Sequence, residues 1–132
     1  MKIGVALIGL VMAASASAQP APAPTYVFFD WAKGELSTDA TAILDGVAAR
    51  YLASPAPVLI DGHSDRSGPA GSNLTSSRKR AEIARDYLAA HGVPASAMRV
   101  RAYGESSPII ATEDGVREVQ NRRVEIRFVA AN

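Results

Sequence analysis

Residues 62–81 read GHSDRSGPAGSNLTSSRKRA and place an acid, Asp65, and a base, Arg80, on either side of a short polar loop. The loop residues SGPAGSN favour turns, so we expect them to join the end of a strand to the start of a helix. This connection should bring both charges to one rim of the domain. Two opposite charges there suit a zwitterionic ligand, and a structural ion pair between Asp65 and Arg80 is the alternative.

Apolar periodicity on both sides of this stretch predicts an α+β domain. Four strands are predicted, at residues 26–29, 58–60, 98–103 and 123–128. The run at 58–60 is continuously apolar, which indicates a strand covered on both faces. A first helix should begin at a cap formed by Ser37 or Thr38 and end before Pro55, and a second should run from about residue 75 to 90. The order βαβαββ predicts a two-layer sandwich, with two helices on one face of a mixed four-stranded sheet.

The N-terminal residues have the layout of a secretory signal peptide. Lys2 precedes the apolar run 3–14, and the small residues Ala16-Ser17-Ala18 suit a cleavage site. The run is too short to cross a hydrocarbon core of about 30 Å as a helix. We therefore predict a signal peptide at 1–18, a proline-rich spacer at 19–24 and one exported domain at 25–130, with no transmembrane segment in the mature chain.

Composition narrows the classes of partner. The chain has no cysteine, so we expect neither disulfides nor a lipid attached to a cysteine. Once Lys2 is removed with the leader, the remaining lysines and arginines equal the 13 acidic residues in number. A mature chain with equal numbers of basic and acidic residues gives no argument for binding nucleic acid or an anionic membrane.

Helical periodicity places Arg80 on the inward side of the second helix. Ala84 and Tyr87 follow it by four and seven residues, so Arg80 continues the apolar stripe. An inward charge needs a partner or a ligand. Arg80 could bind a carboxylate with its planar fork while Asp65 accepts from an ammonium. The amides of residues 75–77, at the predicted helix start, should favour an anion at the same rim.

A metal site is a rival interpretation. Asp61, His63 and Asp65 alternate, so on a strand they would share a face and could hold zinc or another divalent ion. Such a site would indicate a metal-dependent hydrolase. The more ordinary role for His63 is a hydrogen bond to its own loop.

Several motifs occur in order along the chain: GHSD at 62–65, Asn73, Ser77, Arg80-Ala81, Gly104 with Pro108, and NRRVEI at 121–126. With them the chain resembles the OmpA-like peptidoglycan-binding domain family, which includes domains of outer membrane protein A, peptidoglycan-associated lipoprotein and MotB. The resemblance spans roughly residues 26–128. It implies a βαβαββ fold and non-covalent binding of the peptidoglycan peptide stem through the zwitterionic end of meso-diaminopimelate. No catalysis and no cofactor are expected.

The resemblance also implies site residues. The family's ligand acid and ligand arginine match Asp65 and Arg80, its loop asparagine matches Asn73, and the acid after its first strand matches Asp30. Arg80 would bind the ligand carboxylate, Asp65 its ammonium, and Asn73 would help to orient it. Arg122 lies on the Val124 side of the last strand by alternation and is a further candidate.

The resemblance implies a periplasmic location, with or without association with the outer membrane or cell wall. Peptidoglycan is the expected partner, and an envelope protein partner is left open. A second rival is an interaction subunit of an envelope assembly with a vestigial wall site, because the sequence shows neither a lipidated cysteine nor a membrane helix that would anchor the domain.

Overall fold

The computed structural model describes residue 4, residues 23–30 and residues 35–130. The predicted signal peptide, apart from Gly4, and residues 19–22 of the predicted spacer lie outside this part of the chain. The main elements are β1 (Thr25–Phe28), α1 (Thr38–Ala53), β2 (Val58–Gly62), α2 (Ala70–Ala90), β3 (Met98–Ala102) and β4 (Arg123–Phe128). Short 3₁₀ turns cover Ala95–Ala97 and Val119–Asn121. Within the described ranges, no helix has the length and apolar character needed to span a membrane.

The four strands form one mixed sheet in the order β1-β4-β2-β3. β4 runs antiparallel to both β1 and β2, and β2 runs parallel to β3. The two helices contact each other and pack against the sheet, and the core between them includes Leu44, Ile60, Leu88 and Ile126. The predicted βαβαββ sandwich is confirmed. The first helix also begins as predicted, since the Ser37 side chain accepts from the Ala40 amide at 3.0 Å.

β2 is covered on both faces, as predicted, but the cover of its second face is charged and not apolar. Val58 and Ile60 are buried in the core, whereas Leu59 is only half-buried. Asp61 is buried too, but its carboxylate meets the guanidinium groups of Arg101 and Arg127. Charged side chains from the neighbouring strands therefore cover the second face of β2, and a short apolar run does not distinguish this cover from a second layer of helices.

The second helix begins five residues earlier than predicted, at Ala70. Gly68 turns the chain with a φ of 80°, and Pro69 then caps the helix with a φ of −66°. That angle suits the entry to a helix, and the first intrahelical hydrogen bond runs from Asn73 N–H to the Pro69 carbonyl at 3.0 Å. The amides of residues 75–77 therefore lie inside the helix, so the prediction that they favour an anion at the rim is wrong.

Strand β2 and helix α2 approach each other closely at Gly62. A Cβ atom added there would lie 1.9 Å from the carbonyl oxygen of Ser77 in α2. Only a residue without a side chain allows the helix to sit at this distance. Asp65 follows the strand and Arg80 lies on the helix. The contact at Gly62 therefore sets how near Asp65 and Arg80 can be to each other.

We predict that Gly62→Ala destabilises the fold by about 3 kcal/mol, because the new methyl group overpacks a contact between two backbones. Urea unfolding followed by circular dichroism measures this change. Gly46→Ala is the matched control: Gly46 lies within α1, and a Cβ there meets nothing within 4 Å. The control should gain about 0.5–1 kcal/mol from helix propensity. Equal stability of the two variants would contradict the prediction.

Candidate functional site

Asp65 lies beyond the end of β2 and is buried. Oδ1 accepts from the backbone N–H and the hydroxyl of Ser67, and Oδ2 accepts from Glu118 N–H at 3.1 Å and Arg122 Nη1 at 2.7 Å. Burial by itself would raise the pKa of Asp65, but hydrogen bonds from Ser67, Arg122 and Glu118 outweigh it and hold the pKa below its usual value. Asp65 is therefore an ionised carboxylate that joins several segments.

Arg122 is the ion-pair partner of this carboxylate. Its Nη1 contacts Asp65 and its Nε donates to the Phe29 carbonyl at 3.1 Å, and the side chain is almost fully buried. Asp65 and Arg80 form no direct ion pair, so the alternative reading of a structural pair between those two is wrong. The sequence suggested Arg80 as the ion-pair partner of Asp65 and gave Arg122 only as a further site candidate, because the folded sheet brings Arg122, which precedes β4, to Asp65.

Arg80 points inward as predicted and is only 8% exposed. Its Nη1 donates to the His63 carbonyl at 3.2 Å, and this is its one hydrogen bond to the described part of the chain. Burial lowers the pKa of Arg80, and the charge of Arg122 adds to this, whereas the charge of Asp65 acts against it. The two guanidiniums and one carboxylate leave an excess positive charge, and most of the N–H donors of Arg80 can still bind an anion.

Asn73 and Asp30 flank this cluster without contacting Asp65. The Asn73 side-chain amide donates to Glu105 Oε2 at 2.8 Å and to the Gly68 carbonyl at 3.3 Å, so it holds the loop against the β3–β4 connection. Asp30 is exposed after Phe29, whose carbonyl binds Arg122, and it borders a cleft of about 300 Å³. Residues 31–34, which follow Asp30, lie outside the described ranges.

The sequence reasoning missed two supporting side chains. Ser67 binds Asp65 in an Asx turn, and an Asp followed two residues later by Ser was a usable signal for it. Asn121 is fully buried: its Oδ1 accepts from the amides of Ile109 and Ile110, both at 2.9 Å. It holds the long connection against β4, and no local pattern distinguishes that role.

The predicted metal trio does not assemble. Asp61 and His63 lie on the open face of the sheet, whereas Asp65 turns towards Arg122, because the strand ends at Gly62 and its alternation stops there. The described residues contain no group of three or more His, Cys, Asp or Glu side chains that could hold a metal ion.

The expected hydrogen bond from His63 to its own loop is also wrong. The imidazole is 4% exposed and stacks on the Tyr103 ring with centroids 5.2 Å apart, and neither ring nitrogen has a hydrogen-bond partner among the described residues. Burial lowers the pKa of His63 to about 4; Arg123 contributes in the same direction, against Glu125 and Asp61.

This shift predicts a loss of stability in mild acid. The unfolded chain binds the proton near pH 6.5 and the folded chain only near pH 4, so stability falls as the pH drops between these values. The loss should reach roughly 3 kcal/mol. Urea unfolding across this pH range measures it, and His63→Phe, which keeps an aromatic ring against Tyr103, should remove it. His91→Gln is the control for losing a histidine. An unchanged slope in His63→Phe would contradict the assignment.

Comparisons with known proteins agree with this architecture. The OmpA family model matches residues 28–122. An outer membrane protein of Gluconacetobacter diazotrophicus is 37% identical over an alignment of 115 positions that covers 81% of this chain and 30% of that protein. The peptidoglycan-associated lipoprotein of Rhizobium meliloti is 37% identical over 98 residues, covering 74% of this chain and 56% of the lipoprotein. The chain thus spans about a third to just over half of the length of these relatives.

A solved structure shows the same fold. The crystal structure of the peptidoglycan-associated lipoprotein from Burkholderia pseudomallei superposes with a TM-score of 0.73 at 28% identity, over 79% of this chain and 89% of that one. The OmpA-like domain of FopA1 from Francisella tularensis gives 0.69 at 18% identity, over 81% of this chain and 74% of that one. From the matched motifs, the common architecture and the family model that covers most of its length, we conclude that this chain belongs to the OmpA family.

Proposed function

We propose that this chain is a non-enzymatic module of the cell envelope that binds the peptide stem of peptidoglycan at the zwitterionic end of meso-diaminopimelate. The observation that carries the proposal is Arg80, a buried cation with spare donors beside the ionised Asp65. Membership of the OmpA family and similarity to peptidoglycan-associated lipoproteins support the wider statement of wall binding.

Arg80 binds the ligand carboxylate in this proposal. A guanidinium offers a carboxylate two parallel hydrogen bonds, and burial strengthens them because little water competes. Arg122 is less suited to this role, since it already binds Asp65 and the Phe29 carbonyl. The ligand carboxylate gives Arg80 an anionic partner, whereas its one hydrogen bond to the described residues goes to a neutral carbonyl.

Asp65 accepts from the ligand ammonium. Its two oxygens already accept four hydrogen bonds, which is close to the capacity of a carboxylate. The ammonium therefore takes the place of the Ser67 hydroxyl, which belongs to a half-buried loop residue and can turn away at the least cost. Asn73 acts indirectly by holding this loop, and Asp30 borders the cleft of about 300 Å³ next to the cluster.

The proposal sets the chain in the periplasm, with peptidoglycan as its partner. The localisation predicted from the sequence agrees with relatives named as outer membrane and peptidoglycan-associated proteins. Any protein partner in the envelope stays a proposal, because the chain covers only part of those relatives.

The test is co-sedimentation with purified diaminopimelate-type sacculi. Wild type should pellet with them, and Arg80→Gln should raise the dissociation constant for sacculi at least tenfold, since a charged hydrogen-bonded pair contributes about 1.5–3 kcal/mol. Arg78→Gln is the matched control, because Arg78 is an exposed arginine on the same helix. We avoid Asp65 as the primary variant, because its loss would also disturb the fold.

Competition identifies the ligand group. Free meso-diaminopimelate should release the protein from sacculi, whereas pimelate, which lacks both ammonium groups, and cadaverine, which lacks both carboxylates, should not. A wild type that stays in the supernatant would sink wall binding and favour the interaction subunit with a vestigial site. Release of muropeptides by metal-loaded protein would favour the hydrolase.

A further inference from the structure

The face of the sheet opposite the helices carries a polar pocket of about 460 Å³. Its charged lining comes from three neighbouring strands and the residue after β2: Asp61, His63, Arg101, Arg123, Glu125 and Arg127. The β3–β4 connection forms one wall. This pocket lies on the other side of β2 from Arg80, so it is separate from the diaminopimelate site proposed above and does not depend on it.

The pocket has an excess of positive charge. Arg101 donates to the Asp61 carboxylate from Nε and Nη2, both at 2.7 Å. Arg127 donates to Asp61 from Nη1 at 3.4 Å and to Glu125 from Nη2 at 3.2 Å. The buried Arg123 also pairs with Glu125, at 2.9 Å. Three guanidiniums thus face two carboxylates.

The two half-exposed arginines of the pocket keep donors available. A guanidinium has five N–H groups, and each of Arg101 and Arg127 uses two of them in its hydrogen bonds with the described residues. Their side chains are 39% and 34% exposed, so these donors can be reached from solvent. An anion entering the pocket would meet the remaining donors of both arginines.

His63 adds an independent indication that the pocket takes a polar ligand. Its ring is more than nine-tenths buried, lines the pocket and has no hydrogen-bond partner on either nitrogen among the described residues. The nearest carboxylate oxygen, Glu125 Oε2, is 3.8 Å from Nε2, too far for a hydrogen bond. A buried polar group without a partner costs about 1–3 kcal/mol, which a bound ligand would recover.

We propose that this pocket binds a terminal phosphate group, carried by a larger molecule or free in solution. Phosphate suits the pocket better than a single carboxylate because it carries nearly two negative charges and three strong acceptor oxygens. Charged N–H donors bind phosphate oxygens strongly, and Arg101 and Arg127 each keep three of their five donors for such contacts.

Binding should be coupled to the protonation of His63. The charged groups that face its ring are Asp61 on β2, Arg101 on β3, and Arg123, Glu125 and Arg127 on β4. The Tyr103 ring is stacked against it, and Arg80 on α2 donates to its carbonyl. A bound phosphate adds negative charge to this set. It should therefore raise the pKa of His63, and protonation should in turn strengthen binding.

The test is an NMR titration of the two histidines of the full chain with inorganic phosphate, at constant ionic strength over a series of pH values. The His63 ring signals should shift saturably, and the pKa of His63 should rise by about half a unit or more. His91, exposed at the end of α2, is the internal control. No saturable shift at His63, or an equal shift at His91, would overturn the proposal.

Matched variants locate the binding residues. Arg101→Gln and Arg127→Gln should each weaken phosphate binding about tenfold or more, the loss of one charged hydrogen-bonded contact. Arg99→Gln removes the same charge from an exposed position on β3 outside the pocket and should bind like wild type. Thermal unfolding checks that each variant is folded, and the wild-type titration decides the question if one is not. Equal losses in all three variants would show non-specific attraction and overturn the site.

Different probes separate the sources of the phosphate. Glycerol phosphate, which mimics a lipid or other phosphomonoester, is titrated beside inorganic phosphate and acetate. Equal binding of the two phosphates supports a site for the terminal group alone, and tighter binding of glycerol phosphate assigns a phosphomonoester as the ligand. Acetate binding as tightly as phosphate would overturn the proposal.

Discussion

The buried ion pair between Asp65 and Arg122 holds together the end of the domain that carries the candidate site. Through it the loop after β2 is joined to the residue before β4 and to the Phe29 carbonyl after β1, while the second Asp65 oxygen orders the loop at Ser67. Removing one partner of such a pair leaves a buried charge, which costs about 3–5 kcal/mol. Arg80 can share a ligand with Asp65 only because this ion pair fixes the Asp65 carboxylate near it.

Strand β2 also separates two polar regions that lie back to back. The His63 carbonyl accepts from Arg80 on the helix side, while the His63 ring belongs to the arginine-lined pocket on the open side. Alternation of side chains along the strand accounts for this division, since Gly62 faces α2 and its neighbours Asp61 and His63 face away. The close contact at Gly62 leaves no room for a side chain between β2 and α2, so both regions are built on a rigid layer.

Predictions from local patterns succeeded for helices and strands that bury one face and expose the other. The order of elements, the Ser37 cap and the inward direction of Arg80 follow from periodicity and were confirmed. Predictions failed where the chain leaves regular structure. The predicted metal trio assumes that side chains alternate as far as Asp65, but β2 ends at Gly62 and the trio does not assemble. The predicted start of α2 was too late because its first turn, after Pro69, consists of residues that usually favour turns.

The sequence by itself determined the sandwich, the stretch that carries the site and the presence of a buried arginine in it, because helix and strand periods record which side chains face the core. Only the tertiary structure decided that Asp65 pairs with Arg122, 57 residues away, and that Arg80 keeps most of its donors. Pairing across such a distance depends on strand order and register, which place β4 between β1 and β2. The pocket on the open face has the same origin, since its charges come from three strands that are neighbours only in the folded sheet.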